Sequence, residues 1–114
     1  MIRTFIIENG KVDSNGDIIN LDGVRSKDNV PLFSCFDQRQ KIGTLCVYKE
    51  NGALMAEGEI PDGVYGLYPA VGIRILGSES NEHGGRTITE CELVSVSLNV
   101  MPNADPTIKP LKKV

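Results

Sequence analysis

The segment Leu93–Val100 reads Leu-Val-Ser-Val-Ser-Leu-Asn-Val, with an apolar residue at every second position. Successive side chains of an extended strand point to opposite faces, so this spacing predicts a strand with Val94, Val96, Leu98 and Val100 on one face and Ser95, Ser97 and Asn99 on the other. The same period recurs in Ala53–Ile60, where Leu54, Ala56, Gly58 and Ile60 alternate with Met55, Glu57 and Glu59. No helical stripe of 3.6-residue period is sustained anywhere in the chain, which excludes a helix bundle. The fold class expected is mainly β: a small, mostly antiparallel barrel or folded sheet of six or seven strands, with at most one short helix.

Turn chemistry divides the chain into such strands. Asn9-Gly10 follows the β-branched run Ile2–Ile7 as a hairpin signal, and Asp13–Asp17 and Asp22-Gly23 flank a short strand over Ile18–Leu21. Val30–Phe33 carries a proline suited to a sheet edge, and Gly43–Tyr48 is joined by Asn51-Gly52 to the strand that begins at Ala53. Pro61–Tyr68 has room for one turn of helix, Ala70–Leu76 is a strand, Ser78–Gly85 a polar and mobile loop, and Arg86–Cys91 a further strand. From Met101 the alternation stops. Residues 1–101 are therefore expected to form one β domain, and residues 102–114 an extended, Pro-rich tail without core.

Charge follows the same division. Residues 1–108 carry nine basic and fifteen acidic side chains, while residues 109–114 carry Lys109, Lys112 and Lys113 and no acid. The tail reads as a basic strap on an acidic body, and the overall charge of −3 argues against a protein built to follow phosphate backbones. No run of apolar residues approaches the roughly 20 needed to span a bilayer. The N-terminal run lacks the length and cleavage site of a secretory signal, which points to a cytoplasmic start. Cys35, Cys46 and Cys91 form no Cys-x-x-Cys pair and read as reduced thiols.

Candidate chemistry is sparse. Asp13, Asn15 and Asp17 have the one-three-five spacing that opens a calcium loop, but Ile18 stands where that loop needs glycine and Val24 where it needs a bidentate glutamate. An ordinary Asx-rich turn explains them. Glu57 and Glu59 share a strand face and read as solubilising. The single histidine, His83, lies in a polar loop with nothing nearby in sequence to orient its ring. No cofactor or metal is expected.

Several segments, taken in order, resemble the prohead maturation proteases of tailed double-stranded DNA bacteriophages. They are Val12–Ile19, with its Asp-x-x-Gly-Asp-hydrophobic pattern; Val30–Asp37; Ile42-Gly43; Gly52–Ile60; Pro69–Ile73; and Thr89–Ser97 followed by Met101–Ala104. The resemblance covers roughly residues 10–108, and the order of the pieces carries it. That family's reaction needs a histidine base, a serine nucleophile and a polar group to orient the imidazole. The corresponding positions here are Phe36, Ala70 and Ser95. Phe36 accepts no proton and Ala70 offers no nucleophile, so the resemblance implies a protease fold without the protease.

A non-catalytic relative of this kind is expected in the virion, after a cytoplasmic stage in the host, as a decoration or cementing subunit of the capsid. Its expected partners are the major capsid protein or other head proteins, with self-association left open and with neither nucleic acid nor membrane. Lys109, Lys112 and Lys113 of the tail, and His83 and Arg86 at the 78–85 loop, are the expected contact residues. The alternatives are an active protease with a relocated nucleophile, Cys35 or Ser97 with His83, and a transient assembly chaperone or ligand-binding barrel.

Overall fold

The computed structural model describes residues 1–34, 37–100 and 108–112. The chain is mainly β, as its two-residue period requires, and its sheet curls into a half-barrel. The strands are β1 (Ile2–Glu8), β2 (Ile18–Ile19), β3 (Val24–Ser26), β4 (Asn29–Ser34), β5 (Asp37–Glu50), β6 (Ala53–Gly58), β7 (Tyr68–Ser80) and β8 (Arg86–Asn99). The only helical pieces among the described residues are two single turns of 3-10 type, Leu21–Gly23 and Asp62–Val64, the second inside the span with room for one turn.

Neighbouring strands follow the order β1-β6-β5-β4-β8, and β7 lies on the far side of β8 from β4, since Leu32 and Val71 both pair with Val96. The β5–β6 hairpin turns at Asn51-Gly52, both with positive φ (50° and 77°), as the tight hairpin turn demands. Leu54 and Ala56 are buried and Glu59 is exposed, matching the alternation in β6.

At Asn9-Gly10 the outcome differs from the hairpin expected. The chain turns there, but β1 pairs with β6, and the Asn9 side chain accepts the Leu21 N–H (2.8 Å), carrying the chain over to β2. The pairing also departs from a mostly antiparallel pattern along β8. Residues 18–34 run beside β8 in its own direction and pair with it in three steps: Ile18↔Thr87, Val24↔Cys91 and Leu32↔Val96. The first 3-10 turn takes up slack between two of these steps. It can lie against β8 because residue 23 is glycine: a Cβ there would run into the Thr89 carbonyl.

β8 itself is one 14-residue strand where two were expected, and its alternation changes phase partway. Cys91 and Leu93 are buried, then Val94 is skipped in the register between Gly72↔Ser95 and Ile73↔Leu93, and Val96 and Leu98 are buried beyond it. Such a bulge inserts one residue and flips the facing of everything after it. Val94 (43%), the bulged residue, is therefore exposed while Val96 and Leu98 face the core; Val100 (75%) is exposed beyond the end of the strand, and Ser95 and Ser97, expected on the face opposite the valines, are also buried, at 9% and 1%. Both faces of β8 are covered at this level.

The core runs through Ile2, Leu32, Leu45, Leu54, Val96 and Leu98, and it includes a residue from the far C-terminus. Leu111 is 2% exposed. Its N–H donates to the Leu67 carbonyl (2.8 Å) and its carbonyl accepts the Gly66 N–H (3.0 Å). Ile108 is also buried. The tail was expected to carry no core, yet residues 108–112 form a strap whose two apolar side chains turn inward while Lys109 and Lys112 stay exposed. Alternation of apolar and basic residues over Ile108–Lys112 is itself the signal for this, masked in the sequence by its prolines.

Candidate interaction surface

β1 and β7, the two ends of the curled sheet, face one another without pairing. Between them lies a cavity of about 90 Å³. Its walls are Ile6 and Ile7 from β1, Ala70 and Val71 from β7, and Ile108 from the strap. Consecutive isoleucines can both turn inward because β1 bulges between Phe5 and Ile7. Ile19 and Pro69 extend the apolar lining, and Glu8, Lys11, Asp13 and Asp17 complete it and give it a net negative charge.

The acidic side of this cavity is held by a clasp between two loops. Asp13 accepts the N–H groups of Asn15 (2.8 Å) and Asp17 (2.9 Å), the Asx turn expected from the sequence. Asp17 Oδ1 in turn accepts the Arg86 N–H (3.0 Å), and Asn81 Nδ2 donates to the Gly16 carbonyl (2.9 Å). Gly16 has φ of 79° and packs so closely on the other loop that a Cβ would strike the His83 carbonyl. The mobile loop expected over 78–85 is thus shorter and pinned: β7 continues to Ser80, and Asn81–Gly85 closes as a tight turn, with the Asn81 N–H bonded to the Gly85 carbonyl (3.2 Å).

His83 and Arg86 are exposed at this clasp, and the His83 ring lies 3.7 Å from the Glu82 carboxylate. Lys109 and Lys112 are exposed on the strap, so the expected contact residues fall on two separate structures; Lys113 lies outside the described residues. Of the positions aligned with catalytic groups, Phe36 lies outside the described residues, as does Cys35, and Ala70 and Ser95 are on adjacent strands. Ser97 does not meet His83. The serine sits near the C-terminal end of β8 and the histidine beyond its N-terminal end, eleven residues of strand apart from Arg86 onward, or roughly 36 Å of extended chain. The Ser97 hydroxyl is buried and finds no hydrogen-bond partner among the described residues.

Elsewhere on the sheet, Arg3 holds the Tyr48 hydroxyl (3.0 Å) and Glu50 (2.8 Å), and Tyr48 donates to Glu57 (3.0 Å), so Glu57 is tied into a surface network while Glu59 is open to solvent. Cys46 is exposed, and burial pushes the Cys91 thiol pKa up. Among the described residues, no group of three or more His, Cys, Asp or Glu side chains is placed to hold a metal ion, and no helix is long and apolar enough to cross a membrane. No protein-family model matches the chain, and neither the curated proteins nor the solved structures contain a match to it.

Proposed function

We propose that the protein is a non-catalytic auxiliary subunit of a phage head, binding the shell as a decoration or cementing protein. The observation that carries this reading is the ordered set of segments resembling prohead proteases, in which the positions of base and nucleophile are held by Phe36 and Ala70. The methyl group of Ala70 can neither attack a carbonyl nor receive activation from a base. Ala70 and Ser95 lie on paired strands two register positions apart, and this proximity supports reading them as parts of one replaced site.

A shell-binding subunit also needs a rigid body with charged groups held outward. The strap supports this by fixing Leu111 inside while Lys109 and Lys112 project, where they can meet acidic patches on neighbouring capsid subunits. On this reading the protein passes from the host cytoplasm to the virion. Quantitative mass spectrometry of purified virions tests it. A cementing subunit is present in many copies per head, whereas near absence from mature particles overturns the reading in favour of an assembly factor that departs.

A further inference from the structure

We infer that the cavity between β1 and β7 is a docking slot for one aliphatic side chain of a partner segment that carries lysine or arginine beside it. Three observations converge on that chemistry. The cavity, about 90 Å³, has room for about one branched aliphatic side chain, and Ile6, Ile7, Val71 and Ala70 offer it no polar partner other than backbone. The apolar part of this space, away from the charged side chains, offers water few partners, so an aliphatic group seated there displaces little that is well bound. The charged part of the lining has three carboxylates against one lysine, which favours a cation next to the anchor.

The strap already brings an apolar residue and a basic one to this seam. Ile108 forms one wall of the slot, and Lys109 beside it is exposed. Among the described residues β1 and β7 are both sheet edges, and an incoming extended segment can hydrogen-bond to them as it seats its side chain. The inference deepens the shell-binding reading by naming the chemistry of the segment contacted, and it rests on that reading only for the segment's source.

The full-length protein, labelled for methyl and amide NMR, is titrated with acetylated, amidated Lys-Leu-Lys as the probe. Saturable shifts centred on Ile6, Ile7, Ala70 and Val71 and extending to Glu8, Asp13 and Asp17 are expected, with binding at least about tenfold weaker for Glu-Leu-Glu. Ala70→Leu, which puts three further carbons into the slot, should abolish the shifts. Glu8→Lys, a change at an exposed position, should weaken binding even if the leucine variant fails to fold. Equal binding of both peptides, shifts centred elsewhere, or no saturation by about 10 mM, a concentration where even a weak anchor registers, overturns the slot. Wild-type binding to purified heads is measured separately and decides the shell reading; the peptide titration decides the slot whichever way that measurement falls.

Discussion

The C-terminal strap and the loop clasp were both expected to reach away from the body, and both are fastened to it by different physics. The clasp uses backbone polar groups and glycines: Asp17 and Asn81 bridge two turns, and Gly16 allows them to touch. The strap uses apolar burial, with Leu111 at 2% exposure and a two-bond backbone pairing to Gly66 and Leu67. The contrast separates holding power from availability. A polar clasp fixes geometry at modest net energy, because each hydrogen bond replaces one to water. A buried leucine contributes far more while leaving its neighbouring lysines free to meet a partner.

The sharpest way to break this comparison is to remove the strap's anchor. Leu111→Ala is expected to cost about 2–5 kcal/mol of unfolding free energy by chemical denaturation, the range for emptying a buried leucine site. A loss below about 1 kcal/mol would put the strap outside the core. Gly16→Ala should cost less, about 1–3 kcal/mol, from an L residue forced to positive φ against the His83 carbonyl. The Arg86 and Asn81 amide resonances should shift with it, whereas Leu111 should not. Lys109→Ser and Lys112→Ser together should change stability by less than about 0.5 kcal/mol, as exposed substitutions do. Their effect should appear instead as weaker association with purified heads.

Much of this architecture can be read from local pattern. The β5–β6 hairpin, the facing of β6, the Asx turn at Asp13 and the single helical turn after Pro61 are all set by residues within a few positions of one another. What escaped was non-local. Nothing within residues 18–34 announces that they will run parallel to a strand some seventy residues later, and the bulge at Val94 has no glycine or proline of its own strand to mark it; its trace lies in the partner strand, where Gly72 stands opposite Ser95 at the shift in register. The strap is hard to read in the sequence because Pro102, Pro106 and Pro110 space out the tail and suggest a segment without partners. Proline removes one donor but leaves the Leu111 N–H and carbonyl to pair, and these are the groups that do. The cavity at the seam was invisible for the same reason, since its walls come from opposite ends of the sheet and from residue 108.

Amide hydrogen exchange at Leu111 tests most directly whether the strap belongs to the folded body. Its N–H is bonded to the Leu67 carbonyl inside the core, so exchange should be slowed to the level set by the most protected core strands and should slow no further when heads are added. Exchange at the rate of an unstructured peptide would contradict this. It would return the strap to a free arm that becomes ordered only on its partner.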